Sequence, residues 1–109
     1  MRYVISVIDS TTGSASPAET AMIDEFNDTV RTAGELILAV GLADPSTATV
    51  IDGRDGSRDV IEGALHTGDE YVSGMWMIDV ADHAVALDRA AAASRACNRR
   101  VELRAVLGG

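Results

Sequence analysis

Residues 75–106 read MWMIDVADHAVALDRAAAASRACNRRVELRAV, and their periodicity decides the fold. From Met75 to Val80 the apolar residues Trp76, Ile78 and Val80 alternate with Met75, Met77 and Asp79, the two-residue repeat of a strand. Asp79 and Asp82 then announce a helix from about Asp82 to Cys97, with His83, Leu87, Ala90, Ser94 and Cys97 at helical spacing as its inward stripe. Alternation resumes at Arg100, with Val101, Leu103 and Ala105 set against Arg100, Glu102 and Arg104 as far as Val106. The segment is therefore a strand, a helix and a strand, in that order.

The N-terminal half repeats the pattern. Arg2 to Ile8 alternates with apolar residues on both faces, Tyr3, Ile5 and Val7 on one and Val4 and Ile8 with Ser6 on the other. Asp9 to Ser16 is turn-rich. Ser16-Pro17-Ala18-Glu19 is a helix start, with a capping serine, proline at the first position and glutamate at the third. A helix from about Pro17 to Ala33 follows, striped by Met22, Phe26, Val30 and Ala33 and ended by Gly34. Leu36 to Val40 is a short apolar run, expected to be a strand buried on both faces. Thr47 to Ile51 is a β-branched strand, and Asp55-Gly56 turns the chain into a short strand at Asp59 to Glu62, making a polar, exposed hairpin. Gly63 to Gly74 has no period and is expected to be a loop with at most one helical turn.

These elements make one α+β domain spanning residues 1–109: a ferredoxin-like βαββαβ plan with an extra hairpin between its halves. Two helices cover one face of the sheet. The other face is also apolar in the first strands, which predicts a homodimer that buries it.

Composition works by exclusion. All nine basic residues are Arg, so Schiff-base and lysine P-loop chemistry are absent. The net charge of −8 repels phosphate backbones. It divides unevenly: residues 1–88 hold sixteen acids against four Arg, and residues 89–109 hold five Arg against Glu102 alone. That basic end carries no aromatic residue to stack a base, so it reads as a solvated helix end and no nucleic-acid partner is expected. The single Cys97 has no disulfide partner and no zinc-type spacing, and reads as a packing residue. No apolar run approaches a membrane span, and Met1 to Ser10 reads as a first strand, not a leader; no membrane association and a cytoplasmic location are expected. His66 and His83 lie in no metal-binding motif, and the glycines form no dinucleotide-binding fingerprint, so no metal and no cofactor is expected.

Among the remaining candidates, the segment Glu62, His66, Asp69, Glu70, Tyr71 stands out. Histidine titrates near neutrality, and a carboxylate three residues away orients it if a helical turn forms. On this reading His66 is the acid/base and Asp69 its orienting partner. Glu62, Tyr71 and Trp76 then contact a small-molecule ligand, Trp76 with Met75 or Met77 walling an apolar pocket between sheet and loop. The same polar residues also suit a plain solvated connection. His83, beside a helix N-terminus, reads as a neutral packing or capping residue.

The segments MRYVISVID, AGELILAVGLADPSTATVIDGRDG, GMWMIDVADHAVALDRA and VELRAVL, in this order, resemble the YCII-related family, in particular its branch with a DGPF motif. Where that branch carries Thr-Asp-Gly-Pro-Phe, this chain reads Ile61-Glu62-Gly63-Ala64-Leu65, and near Ile23 it lacks the first-helix histidine of some members. The resemblance implies a ferredoxin-like dimeric α/β barrel. It also implies a small-molecule-binding protein, with acid/base isomerase or lyase activity as one expectation and a non-enzymatic regulatory or protein-interaction module as the alternative.

Overall fold

The computed structural model describes residues 1–10 and 16–108. Its elements are β1 (Arg2–Asp9), α1 (Pro17–Thr32), β2 (Leu36–Gly41), β3 (Thr49–Asp52), β4 (Asp59–Glu62), β5 (Tyr71–Asp79), α2 (His83–Cys97) and β6 (Arg100–Ala105). Most of the expected loop before α1, residues 11–15, lies outside the described residues. The main sheet has four strands in the order β2-β5-β1-β6, each neighbouring pair antiparallel. That order is compatible with a ferredoxin-like fold. The β3–β4 hairpin is a separate two-stranded sheet.

Local chemistry explains the boundaries. Ser16 and Glu19 form a reciprocal capping box at the start of α1, with Pro17 at the first helical position. Asp82 caps α2, and Asn98, in the left-handed conformation at φ 52°, stops it and turns the chain into β6. The hairpin turn uses Asp55 and Gly56, both at positive φ.

Both helices lie on the same side of the sheet. The core there is Tyr3, Ile5 and Val7 of β1, Trp76 and Ile78 of β5, Val80, Phe26 and Val30 of α1, and Ala86, Ala90, Ala93, Ala96 and Cys97 of α2. The side chains that alternate with these, Val4, Ile8, Met75 and Met77 with Leu38 and Val40 of β2, lie on the uncovered face.

The structure corrects several expectations. β2 is an edge strand, largely exposed, because only β5 pairs with it. Its apolar run reflects a strand whose second face is bare. β5 begins at Tyr71, inside the segment expected to be a loop, because Tyr71 and Val72 pair with Asp9 and Ile8 beyond a bulge at Val7/Ile8. On α1, Met22 and Ala33 are exposed and only Phe26 and Val30 are buried. On α2 the inward stripe is alanine, so His83 and Leu87 face out. Alanines at the contact let the helix lie close to the sheet, an arrangement that a stripe chosen by side-chain bulk misses. Asp52 and Asp59 are polar ends of a hairpin whose exposed middle is apolar, with Ile51, Val60 and Ile61 in solvent. Among the described residues, no helix is long and apolar enough to cross a membrane.

Candidate functional site

The cross-strand rows on the helix-covered face explain where the molecule is open. Ala39, Trp76 and Ile5 are neighbours in one row, Gly41, Gly74 and Val7 in the next, and Tyr71 and Asp9 pair beyond the bulge. Two glycines side by side leave the second row without side chains over β2 and β5. The result is a cleft of about 510 Å³ between this bare backbone and the helices. Ile23 and Asn27 of α1 form one wall, Leu42 and Asp44 after β2 another, and Cys97 and Arg99 close the far side.

The two glycines differ in kind. A Cβ on Gly74 would meet the Val40 carbonyl oxygen at 2.8 Å, so Gly74 is required by the close approach of β2. A Cβ on Gly41 meets nothing within 4 Å. Space above Gly41 is thus the cleft itself.

Arg99, half-buried at the turn from α2 into β6, ties the site together. Its Nε lies 3.3 Å from Asp9 Oδ1 and its Nη1 3.0 Å from Glu19 Oε2. One guanidinium therefore joins the end of β1, the first turn of α1 and the start of β6. Burial works against its charge, but Asp9 and then Glu19 outweigh that and hold its pKa above the ordinary value. Glu19 sits below the usual carboxylate range, first because the Ser16 N–H and hydroxyl donate to it and then because Arg99 faces it.

Trp76 donates its indole N–H to Asn27 Oδ1 at 2.6 Å and meets the Phe26 ring edge-on at 5.2 Å. Because indole only donates, the amide oxygen of Asn27 is the atom that must face it, which turns the Asn27 NH2 group elsewhere. Tyr71 is half-buried, and its phenol is pushed above the ordinary value by burial first and then by the carboxylates of Asp9 and Asp44, against an opposing effect of Arg99. It stays a protonated donor at neutral pH. Asp44 is held low because it accepts from the Ser46 N–H, capping the short turn at Pro45–Thr47. The Cys97 thiol is buried and raised chiefly by that burial, so it is a neutral packing group and not a thiolate.

Of the residues singled out in the sequence, Tyr71 and Trp76 line the cleft together. Glu62, at the end of β4, and His66 and Asp69, in the connection before β5, are exposed and outside its lining. Glu70 pairs with Arg100. His83 is exposed with its ring 5.8 Å from that of Tyr3. Asp9, Asn27, Gly41, Gly74 and Arg99 escaped the sequence reading. Gly74 carried a usable signal: glycine beside a strand marks a close backbone approach. Arg99 carried none, since its carboxylate partners lie 90 and 80 positions away.

A scan against protein-family models finds no match to this chain, and a search of curated proteins finds no similar sequence.

Proposed function

We propose that this chain is a YCII-like small-molecule-binding domain whose ligand sits in the cleft over Gly41 and Gly74. The observation that supports this most is the bare glycine row: a well-packed interior fills such a row with side chains, and here it opens beneath a tryptophan wall and beside a buried carboxylate. Apolar surface from Val7, Ile23, Ala39 and Trp76 meets a few convergent polar groups, Asp9, Asn27, Tyr71 and Ser73. Acid/base isomerase or lyase chemistry in such a site falls to Asp9 and Tyr71, with the His66–Asp69 pair outside it. That position of His66 favours a binding or regulatory module over a histidine-based enzyme.

The functional unit in this reading is a homodimer in which two uncovered sheet faces meet as a dimeric α/β barrel. Val4, Ile8, Leu38, Val40, Val72, Met75 and Met77 form the apolar belt. Arg100, Glu102 and Arg104 alternate in sign on the same face at the β6 edge. A single free, buried thiol suits the reducing cytoplasm.

A thermal-shift screen of a small-molecule library, run in parallel on the wild type and on Gly41→Val, tests the binding role. Valine there puts a branched side chain into the cleft from a Cβ position that meets nothing within 4 Å, so hits that stabilise the wild type and not the variant support the reading. Hits shared equally by both proteins contradict it. Sedimentation across the micromolar range tests the dimer, and a monomer throughout refutes it.

A further inference from the structure

We infer that the cleft selects small organic cations, an amine carried on a flat apolar body, over carboxylates of the same shape. The inference rests on the cleft being the ligand site and specifies what it takes. Three ionised groups line it: Asp9, Asp44 and Arg99. Arg99 is the one cation among them, and it is already shared between Asp9 at 3.3 Å and Glu19 at 3.0 Å, with its Nη1 also donating to the Asn98 carbonyl at 3.0 Å. A carboxylate ligand would have to compete with two carboxylates for that guanidinium, and it would bring a third negative charge beside them.

An ammonium finds Asp9 engaged by Arg99 and Asp44 outside that ion pair, so Asp44 is the carboxylate that receives it. Asp44 stands at the rim and Asp9 at the inner end, and no second cation among the described residues lines the space between. Burial first, and then the carboxylates of Asp9 and Asp44 against the opposing Arg99, raise the Tyr71 phenol, so both carboxylates act on this part of the cleft. The body of the ligand is set by the walls. Trp76, one row from the bare backbone of Gly41 and Gly74, offers its ring to a planar apolar group, and Asn27, whose amide oxygen is taken by the indole, keeps its NH2 as a donor.

Trp76 is the only tryptophan of the chain, so its indole N–H gives one resonance in a ¹⁵N–¹H spectrum of the full-length protein, at the cleft wall. Titrations with phenethylamine, 2-phenylethanol and 3-phenylpropionate, at low salt and neutral pH, compare three charges on one skeleton. The expected result is that the amine binds about tenfold more tightly than the alcohol, and the carboxylate most weakly, with the amine's advantage reduced by Asp44→Asn and by added salt. Equal binding of amine and alcohol, or tighter binding of the carboxylate, overturns the charge selection; if those shifts vanish in Gly41→Val, the cleft itself still stands as the site. Should no probe move the indole resonance in a manner that Gly41→Val removes, the inference and the cleft assignment both fall.

Discussion

Small side chains sit on both halves of the helix-covered layer, with opposite results. Over β1 and β6 they belong to the helix: Ala86, Ala90, Ala93 and Ala96 of α2 are all buried, and the layer closes. Over β2 and β5 they belong to the sheet: Ala39, Gly41 and Gly74 present little or no side chain, and the gap that remains is lined from α1 by Ile23 and Asn27. A helix with small residues moves toward the sheet, since nothing fixes its distance but its own side chains. A sheet with small residues does not move toward the helix, since its strands are held by their ladders. Smallness on the moving element closes the gap; smallness on the fixed element leaves it.

Bulk placed on the closed side gives the largest effect. Ala93 is fully buried, and Ala93→Leu is expected to lower stability by about 3 kcal/mol by forcing α2 off the sheet, read as a drop in denaturant midpoint. On the open side, bulk matters only where backbone approaches. Gly74→Ala drives a methyl against the Val40 carbonyl and is expected to cost about 2 kcal/mol and to weaken protection of the β2–β5 amides in hydrogen exchange. Trp76→Phe keeps a ring in the core and loses the bond to Asn27, a cost of about 1 kcal/mol. An unchanged midpoint would show that this bond is exchanged for water without loss.

The smallest effect is electrostatic. Because the folded state holds the Tyr71 phenol above its ordinary value of 10.0, its contribution to stability is present below about that pH and disappears as the pH rises through the folded value. A spectrophotometric titration in a Tyr3→Phe background is expected to show Tyr71 ionising late, and earlier when Asp44→Asn removes one of the two facing carboxylates.

The same contrast separates what could be read from the sequence from what could not. Elements whose periodicity is carried by bulky residues, β1, the later part of β5 and the cap of α1, were legible, as was the order of strands and helices that they imply. Where alanine runs through a helix, as in residues 90–93, period carries no information, and the stripe through Leu87 lies one residue off the buried Ala86. The start of β5 was hidden because Tyr71 pairs with Asp9 across a bulge, a long-range choice that a local pattern around Gly68 and Gly74 does not express. Trp76 and Tyr71 stand out in the sequence because large amphipathic rings are scarce here, and both line the cleft. The cleft's charged frame is not legible in the sequence, since Arg99 meets Asp9 and Glu19 only when β1, α1 and β6 converge.

Gly41→Val tests the central claim most directly, by measuring the dissociation constant of the best screening ligand for wild type and variant side by side, together with their melting temperatures. With open space over Gly41, the account predicts that the variant folds with an equal or higher melting temperature and binds more than tenfold more weakly. An unchanged dissociation constant in a stably folded variant would contradict it.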